Sequence, residues 1–329
     1  MHELILYNAD GTSKNITSMI SNLSWSSNED TLGVQLDFDM VNSKGRIYLP
    51  LPEGLGIGSL LILRNNGKEI FRGIIVTEEI NGEFSRHYTA FDYAFYLNKS
   101  KGIYQFNRIQ ASKAIKQLLN DFNIPIGNIT NIPTIINHIY YDKVISDIIK
   151  DILQQATNET GQKYRLEMRE GKLYIEKQTD LVINATFKLA SNLKENNITS
   201  AISNPTRRRS IEEMKNSIMI VVNNKDSATL VGEAKDETSI KQYGILQEVQ
   251  TIDEKDIAQA KNIAQTLLKE LNKIFEDNSI ECIGNDDVRA GRILNIVEPI
   301  TGMNGQYRIK SCTHNVNGIH KMSLDLGVV

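Results

Sequence analysis

Cysteine, proline and tryptophan are scarce in this chain, which has two cysteines, six prolines and one tryptophan among 329 residues. Two cysteines cannot build the disulfide framework of a small secreted domain, and they fit a reducing compartment. Because no Pro/Ser-rich linker is visible, we expect domains that abut each other through short connections. Cys282 and Cys312 each lie in a strand-like run, which predicts buried free thiols. A disulfide between them would require neighbouring strands.

A basic excess and long apolar runs are also missing. The net charge is -3, from 37 basic and 40 acidic residues, which gives no support for binding a nucleic acid. No stretch approaches the roughly 18 apolar residues of a membrane span, and the N-terminal segment turns polar too early for a signal peptide. We therefore expect a soluble chain made in the cytosol, with no membrane partner and no specific nucleic-acid partner.

The first 100 residues carry the patterns of β-strands. Val34, Leu36, Phe38 and Met40 alternate with polar residues, which is typical of a half-buried strand. Asn81-Gly82 separates two further runs and is a strong signal for a hairpin turn. About five strands in roughly 90 residues predict a barrel or a sandwich.

Helical spacing then replaces the alternation. Apolar residues at 111–122 and, more strongly, at 144–156 each mark one face of a helix. Asp142 is the predicted N-cap of the second helix, and Gly161 its C-terminal glycine. A predicted hairpin follows, with Arg169-Glu170-Gly171 as its turn. Residues 101–183 are therefore predicted to form a small α+β domain.

The last third is predicted to be a second β region interrupted by a helix. Runs at 217–222, 228–232 and 243–249 precede a helical pattern over 253–277, about 25 residues or ~37 Å long. Thr251 and Glu254 have the spacing of a capping box. Segments at 280–282, 292–298, 307–312 and 322–326 complete the region. The predicted fold is β-rich α+β: two β domains, 1–100 and 184–329, flank domain 101–183, and the second contains helix 253–277.

A search for catalytic motifs finds no G-x-S-x-G, H-E-x-x-H, P-loop or C-x-x-C pattern. Gly54, Gly56 and Gly58 suggest a phosphate loop, but a strand-like run follows them where a helix is needed. We interpret them as a loop that enters a barrel strand. No catalytic, cofactor-binding or metal-binding residue is predicted, and no cofactor is expected.

Two clusters leave alternatives open. His314 and His320 flank Asn317-Gly318, so together with Cys312 they could form part of a zinc site. A fourth ligand has no candidate, and a hairpin pair without metal is the favoured interpretation.

Arg207-Arg208-Arg209 follows the turn signal Asn204-Pro205. This basic run is interpreted as a solvated loop or as pairing with Glu212 and Glu213. The alternatives are contact with a nucleic acid or acidic partner, or an ion pair between subunits. Helix 253–277 is expected to cover a barrel, with contact to a neighbouring subunit as the alternative.

The order of three segments resembles one family. They are residues 89–97 (TAFDYAFYL), with the pattern Ala-x-Asp-x-x-x-x-Leu; residues 159–173; and the C-terminal run from Asp287-Val288-Arg289-Ala290-Gly291-Arg292 to Leu326. The chain is similar to baseplate hub proteins of contractile phage tails and phage-tail-like bacteriocins, the tail-hub family of the PBSX-prophage and late-control-D type. The segment 181–250 carries none of this resemblance.

The resemblance implies two tail-tube-like β-barrels in each subunit of a homotrimer. Three subunits would present six barrels, adapting the six-fold tail tube to the three-fold central spike. It also implies contacts with the tail-tube protein, the spike, other baseplate proteins and the tape-measure protein. Assembly would take place in the host cytoplasm, and the final location would be the baseplate.

Two other functions remain open on the sequence. A tail-associated cell-wall hydrolase would need paired carboxylates or a Cys/His pair, and no such residues stand out. A receptor- or glycan-binding tail protein would need an exposed aromatic platform, for which Trp25 is the single tryptophan. A non-enzymatic structural role is the favoured prediction.

Overall fold

The structure is a computed structural model that describes residues 1–8, 10–41, 51–82, 85–189, 201–224, 227–252 and 254–328. Strands predominate, and the predicted β-rich α+β class is confirmed. The chain divides into two compact units, Met1–Pro205 with Ser279–Val329, and Thr206–Asn278. The predicted division into 1–100, 101–183 and 184–329 stays a prediction.

Seven strands form the N-terminal part of the first unit, with a 3-10 turn at Thr17–Met19. They are β1 (His2–Tyr7), β2 (Ser13–Asn15), β3 (Ile20–Asn28), β4 (Val34–Val41), β5 (Leu60–Asn65), β6 (Lys68–Asn81) and β7 (Ser85–Asp92). Their order is β3-β4-β7-β6-β5-β1-β2, with antiparallel neighbours. The alternation of β4 is confirmed, because Leu36, Phe38 and Met40 are buried and Phe38 stacks on Tyr88.

The middle part is the predicted α+β arrangement. Its elements are α1 (Ala94–Lys99), β8 (Lys101–Gln110), α2 (Ala111–Asp121), β9 (Ile126–Ile129), β10 (Ile135–Val144), α3 (Ile145–Thr160), β11 (Tyr164–Arg169) and β12 (Lys172–Lys177). β8 and β10 form a ribbon, and β11-β12-β9 form a small sheet. The apolar faces of α2 and α3 pack into one core with Leu173 and Ile175.

The two predicted ends of α3 have different outcomes. Gly161 is confirmed as the terminating glycine, with φ 72°, in the left-handed region that glycine tolerates best. Asp142 as N-cap is wrong, since it lies inside β10 and pairs with Lys101. Val144 still pairs with Lys101 in the ribbon, so the chain stays extended up to Val144 and the helix begins only at Ile145.

The remaining strands follow a 3-10 turn at Gln178–Asp180. They are β13 (Val182–Leu189), β14 (Ala201–Ser210), β15 (Ser217–Asn224), β16 (Ser227–Lys235), β17 (Gln247–Thr251), β18 (Phe275–Ile283), β19 (Ile293–Glu298), β20 (Met303–Asn315) and β21 (Lys321–Val328). The order β13-β14-β18-β21-β20-β19 closes on itself, because β19 pairs with both β13 and β20. This ring encloses a core that includes Phe187, Leu294 and Leu324.

One strand joins the two β regions of the first unit. β20 pairs with β21 inside the ring and also with β3, through Ser311 opposite Asn28 to Asn315 opposite Ser24. The strands of these two regions therefore form one curled 13-stranded sheet that runs from one β region into the other.

The second unit contains the sheet β16-β15-β17 with α4 (Glu237–Tyr243) and α5 (Ala260–Leu271). Ala260 and Ala264 of α5 pack on Ile218 and Ile220 of β15. A Cβ on Gly232 would lie only 2.9 Å from the backbone of Ala260, so glycine permits this close approach of helix and sheet.

The predicted helix over 253–277 is too long at its C-terminal end. Residues Glu254–Gln259 form a 3-10 helix, α5 ends at Leu271, and Phe275 already begins β18. Asn272 stops the helix because its side chain bonds Asp236 and Ser239 of the α4 segment. Glu276 and Asp277, which follow in the chain, lie in β18, where Arg207 and Arg208 of β14 bind them.

The predicted strand 243–249 is wrong in its first half. Tyr243 ends α4, and the strand β17 begins only at Gln247. The N-cap is Asp236, whose side chain accepts from the N–H groups of Thr238 and Ser239 at 2.9 and 3.0 Å. In the sequence, Asp236 before Glu237 and Gly244 after Tyr243 are the residue types that predict the start and the end of a helix.

Candidate functional site

Two arginines of the segment before β19 converge on one carboxylate of β11. Arg292 binds Glu167 with two hydrogen bonds, Nη2 to Oε1 at 2.7 Å and Nε to Oε2 at 3.3 Å. Arg289 Nη1 lies 3.5 Å from Oε1. The three side chains, called here the Glu167 ion cluster, are only 6 to 15% exposed. A buried carboxylate thus compensates two buried guanidinium groups.

The Glu167 ion cluster connects three parts of the first unit. Arg289 donates to the carbonyl oxygens of Met168 on β11 and Ile70 on β6, at 2.9 and 2.8 Å. Burial would raise the pKa of Glu167, but the charges of Arg289 and Arg292 hold that pKa below its ordinary value. The carboxylate is therefore ionised at neutral pH and fixes the segment before β19 against the hairpin β11–β12.

Gly291 lets this segment turn between the two arginines. Its φ is +85°, and a Cβ there would lie 2.3 Å from Nε of Arg165. The backbone conformation therefore favours glycine, and the side chain of Arg165 occupies the space that a Cβ would need.

Asp92 forms a second buried polar centre, in the segment that carries the family resemblance. Its Oδ2 accepts from Val34 N at 2.7 Å and its Oδ1 from Ala94 N at 3.0 Å. Burial raises the pKa of Asp92 to about 7, although these two N–H donors and the charge of Arg289 act to lower it. Ala90, Ala94 and Leu97 are fully buried around it, so this segment is a packing element that positions the start of α1.

The histidine and cysteine pattern of the C-terminal hairpin forms a buried chain of contacts. His314 Nδ1 lies 2.9 Å from His320 Nε2, and His314 Nε2 lies 3.0 Å from Cys312 Sγ and 2.9 Å from the Val288 carbonyl. The predicted approach of the two histidines is confirmed. Both nitrogens of His314 have partners, and burial raises the pKa of the Cys312 thiol, so these two residues do not offer the free donors that a zinc site needs.

A different set of ligand atoms meets beside this chain. His2, Asp286 and His320 place one ligand atom each within 4.8 Å of one another. This set could not be predicted from residue spacing in the sequence, because His2 and Asp286 are 284 residues apart.

The run Arg207-Arg208-Arg209 lies on strand β14 and not in a loop. Arg207 binds Glu276 with two hydrogen bonds, at 2.7 and 3.1 Å, and Arg208 binds Glu212 and Asp277. The predicted pairing with Glu212 is confirmed. The predicted turn at Asn204-Pro205 is wrong, since both residues lie within β14.

In the glycine loop before β5, the N–H groups of Gly56 and Gly58 are already hydrogen-bonded within the protein. Gly58 N donates to the carbonyl of Ile75 at 2.8 Å, and Gly56 N donates to Ser59 Oγ at 3.0 Å. The loop borders an open cavity of about 860 Å³ that also contacts Tyr7, Asp10 and Thr12. The loop leads into a strand, β5, as interpreted from the sequence; that this strand belongs to a barrel stays a prediction.

The YqbQ-like family model matches residues 23–327. The chain belongs to the YqbQ-like family. One relative, the phage-like element PBSX protein XkdQ of Bacillus subtilis (strain 168), is 26% identical over 274 residues, which cover 82% of this chain and 81% of XkdQ.

Solved structures of tail proteins share the fold of this YqbQ-like chain. The 43 kDa tail protein of prophage MuSo2 from Shewanella oneidensis has a TM-score of 0.72 at 11% identity, covering 99% of this chain and 98% of its own. The E. coli c3393 protein, a type VI secretion component described as similar to the phage T4 tail proteins gp27 and gp5, has a TM-score of 0.52 at 9% identity. That match covers 93% of this chain and 73% of c3393.

Trp25 and the cysteines of the YqbQ-like chain are interior residues. Trp25 is 4% exposed and stacks on His314 at 4.6 Å, so it is not an exposed platform for a glycan. Cys282 and Cys312 are buried and free, as predicted. In the described part of the chain, no helix combines the length and apolarity that crossing a membrane requires.

Proposed function

We propose that this YqbQ-like chain is the structural baseplate hub of a contractile tail particle. Three copies form a ring that adapts the six-fold tail tube to the three-fold central spike, without catalysing a reaction. The tail-tube protein, the spike, other baseplate proteins and the tape-measure protein are its proposed partners. The subunit is assembled in the host cytoplasm and then remains in the baseplate, in either a phage or a bacteriocin-like particle.

The joined sheet is the observation that carries this proposal. Each chain holds two β regions, a seven-stranded one and a closed six-stranded one, connected through the pairing of β20 with β3. Three such chains would supply six β regions, the number that a six-fold tube requires. Head-to-tail contacts that close after three copies would generate the ring.

The buried polar centres support a rigid adaptor. The Glu167 ion cluster fixes the segment before β19 to both β11 and β6. Several buried hydrogen bonds and charges thus hold the two β regions and the α+β part in one arrangement. A symmetry adaptor needs such a fixed arrangement, because the spacing of its two β regions has to match the tube.

Copy number in the assembled particle tests the proposal directly. Both native thiols are buried, so a Lys113→Cys variant offers one exposed thiol on α2 for a fluorophore or a gold label. A hub predicts three labels per particle, located at the junction between tube and spike. Lys113→Ser is the matched control and should leave particles unlabelled.

Other label positions contradict the proposal in recognisable ways. Six copies at the junction would indicate a six-fold ring component, and labels on fibres would indicate a receptor-binding protein. Purified assemblies should also contain a species near three times 37.1 kDa once the partners are present.

A further inference from the structure

We infer that His2, Asp286 and His320 form a site for one divalent transition-metal ion, with Zn²⁺ as the ion that best matches the ligands. His2 begins β1, Asp286 lies between β18 and β19, and His320 immediately precedes β21. Each residue places one ligand atom within 4.8 Å of those of the other two. Asp286 Oδ1 lies 3.0 Å from His2 Nε2 and 3.8 Å from His320 Nδ1. This inference does not depend on the proposed function.

The hydrogen bonds around His314 determine which nitrogen of His320 is free. The Val288 carbonyl can only accept, so His314 Nε2, 2.9 Å away, carries the proton of the neutral ring. His314 Nδ1 then accepts a hydrogen bond from His320 Nε2–H at 2.9 Å. His320 Nδ1 is left with a lone pair that faces Asp286.

His320 Nδ1 and the Asp286 carboxylate present lone pairs to each other. His320 Nδ1 lies 3.8 Å from Asp286 Oδ1, which is too long for a hydrogen bond, so a shared proton does not account for their approach. Two electron-rich atoms that converge in a largely buried place are the arrangement that a metal ion stabilises.

The two contacts of the Asp286 carboxylate are close to the ligand spacing around a small ion. Two ligands about 2.05 Å from a tetrahedral Zn²⁺ are roughly 3.3 Å apart. The two contacts of Asp286 Oδ1, at 3.0 Å to His2 and 3.8 Å to His320, lie on either side of that value. The ion would replace the proton that His2 Nε2 shares with Asp286. Water or another oxygen would occupy the fourth position.

Neighbouring groups already orient the ligands. The second nitrogen of His320 donates to His314, whose ring is stacked on Trp25 with an interplanar angle of 8°. Asp286 Oδ2 accepts from Asn65 Nδ2 at 2.7 Å. Metal-binding histidines and carboxylates are typically held in this way by a second set of hydrogen bonds. The ion would connect the first strand of the chain to two segments near its end.

Metal binding by the full-length, tag-free protein tests the inference. After treatment with EDTA and dialysis, we expect one Zn²⁺ per chain by elemental analysis and calorimetry, together with a higher melting temperature. Co²⁺ should give the visible spectrum of a four-coordinate ion. X-ray absorption of the Zn²⁺ form should show two imidazole ligands and no sulfur.

Two substitutions decide whether these residues hold the ion. His320→Gln and Asp286→Asn should each weaken Zn²⁺ binding by roughly a hundredfold or more. Asp286→Asn keeps the size and one oxygen acceptor, so it also serves if His320→Gln fails to fold. His138→Gln changes an exposed histidine of β10 and should bind Zn²⁺ like the wild type. Absence of stoichiometric binding by the wild type, or equal binding by Asp286→Asn, would overturn the inference.

Discussion

Replacing Glu167 with glutamine should destabilise the protein strongly, although the two side chains have almost the same size. The substitution removes the one carboxylate between Arg289 and Arg292, whose side chains are only 12 and 15% exposed. Breaking a buried ion pair by neutralising one partner costs about 3–5 kcal/mol, because the remaining charge stays buried. In a unit of this size we expect the melting temperature to fall by roughly 6–20 °C.

Glu176→Gln on the neighbouring strand β12 is the matched control. Glu176 pairs with Arg169, but both side chains are about a quarter exposed. Water reaches this pair more readily than the Glu167 ion cluster, so this change should cost clearly less than Glu167→Gln. Urea unfolding and calorimetry of both variants at pH 7 measure the difference. If Glu167→Gln costs no more than Glu176→Gln, the Glu167 ion cluster does not hold the segment before β19 in place.

Three further predictions concern titration, packing and backbone conformation. Because the pKa of Glu167 is lowered in the folded state, this carboxylate contributes its full stabilisation above about pH 4.5, and the contribution is lost as the pH falls through the folded-state pKa. Glu167→Gln should therefore flatten the acid side of the profile of urea stability against pH. An unchanged profile would contradict this. Both thiols are buried, and burial raises the pKa of the Cys282 thiol to about 12. Both should therefore react with Ellman's reagent about a hundredfold more slowly in the native protein than in guanidinium. Rapid labelling of the native protein would show that they are accessible. Gly161→Ala should cost about 1 kcal/mol in urea unfolding because Gly161 has φ 72°, whereas Gly56→Ala, at a glycine without positive φ and with open space at its Cβ, is the control and should cost clearly less.

Local patterns predicted most elements of the fold. The sequence correctly predicted the alternation in β4, the apolar spacing in α2 and α3, and Gly161 at the end of α3. Each of these features depends only on residues within the same strand or helix. The two errors at helix boundaries have a common cause. Asp142 and residues 272–277 carry acceptable helical signals, but strand pairing or side-chain bonds with distant segments hold them in other conformations.

The candidate sites depend much more on tertiary structure. The sequence by itself indicated buried thiols from strand-like runs. From short spacings it also indicated a close histidine pair at 314 and 320 and pairing of the arginine run 207–209 with Glu212 and Glu213, of which the Arg208–Glu212 pair is present. The tertiary structure decided that Glu276 faces Arg207, that Glu167 lies between Arg289 and Arg292, and that His2 meets Asp286. The partners in these contacts are 69, 125 and 284 residues apart along the chain. The packing of distant strands and loops brings them together, and no pattern of charge or hydrophobicity within one local segment contains that information.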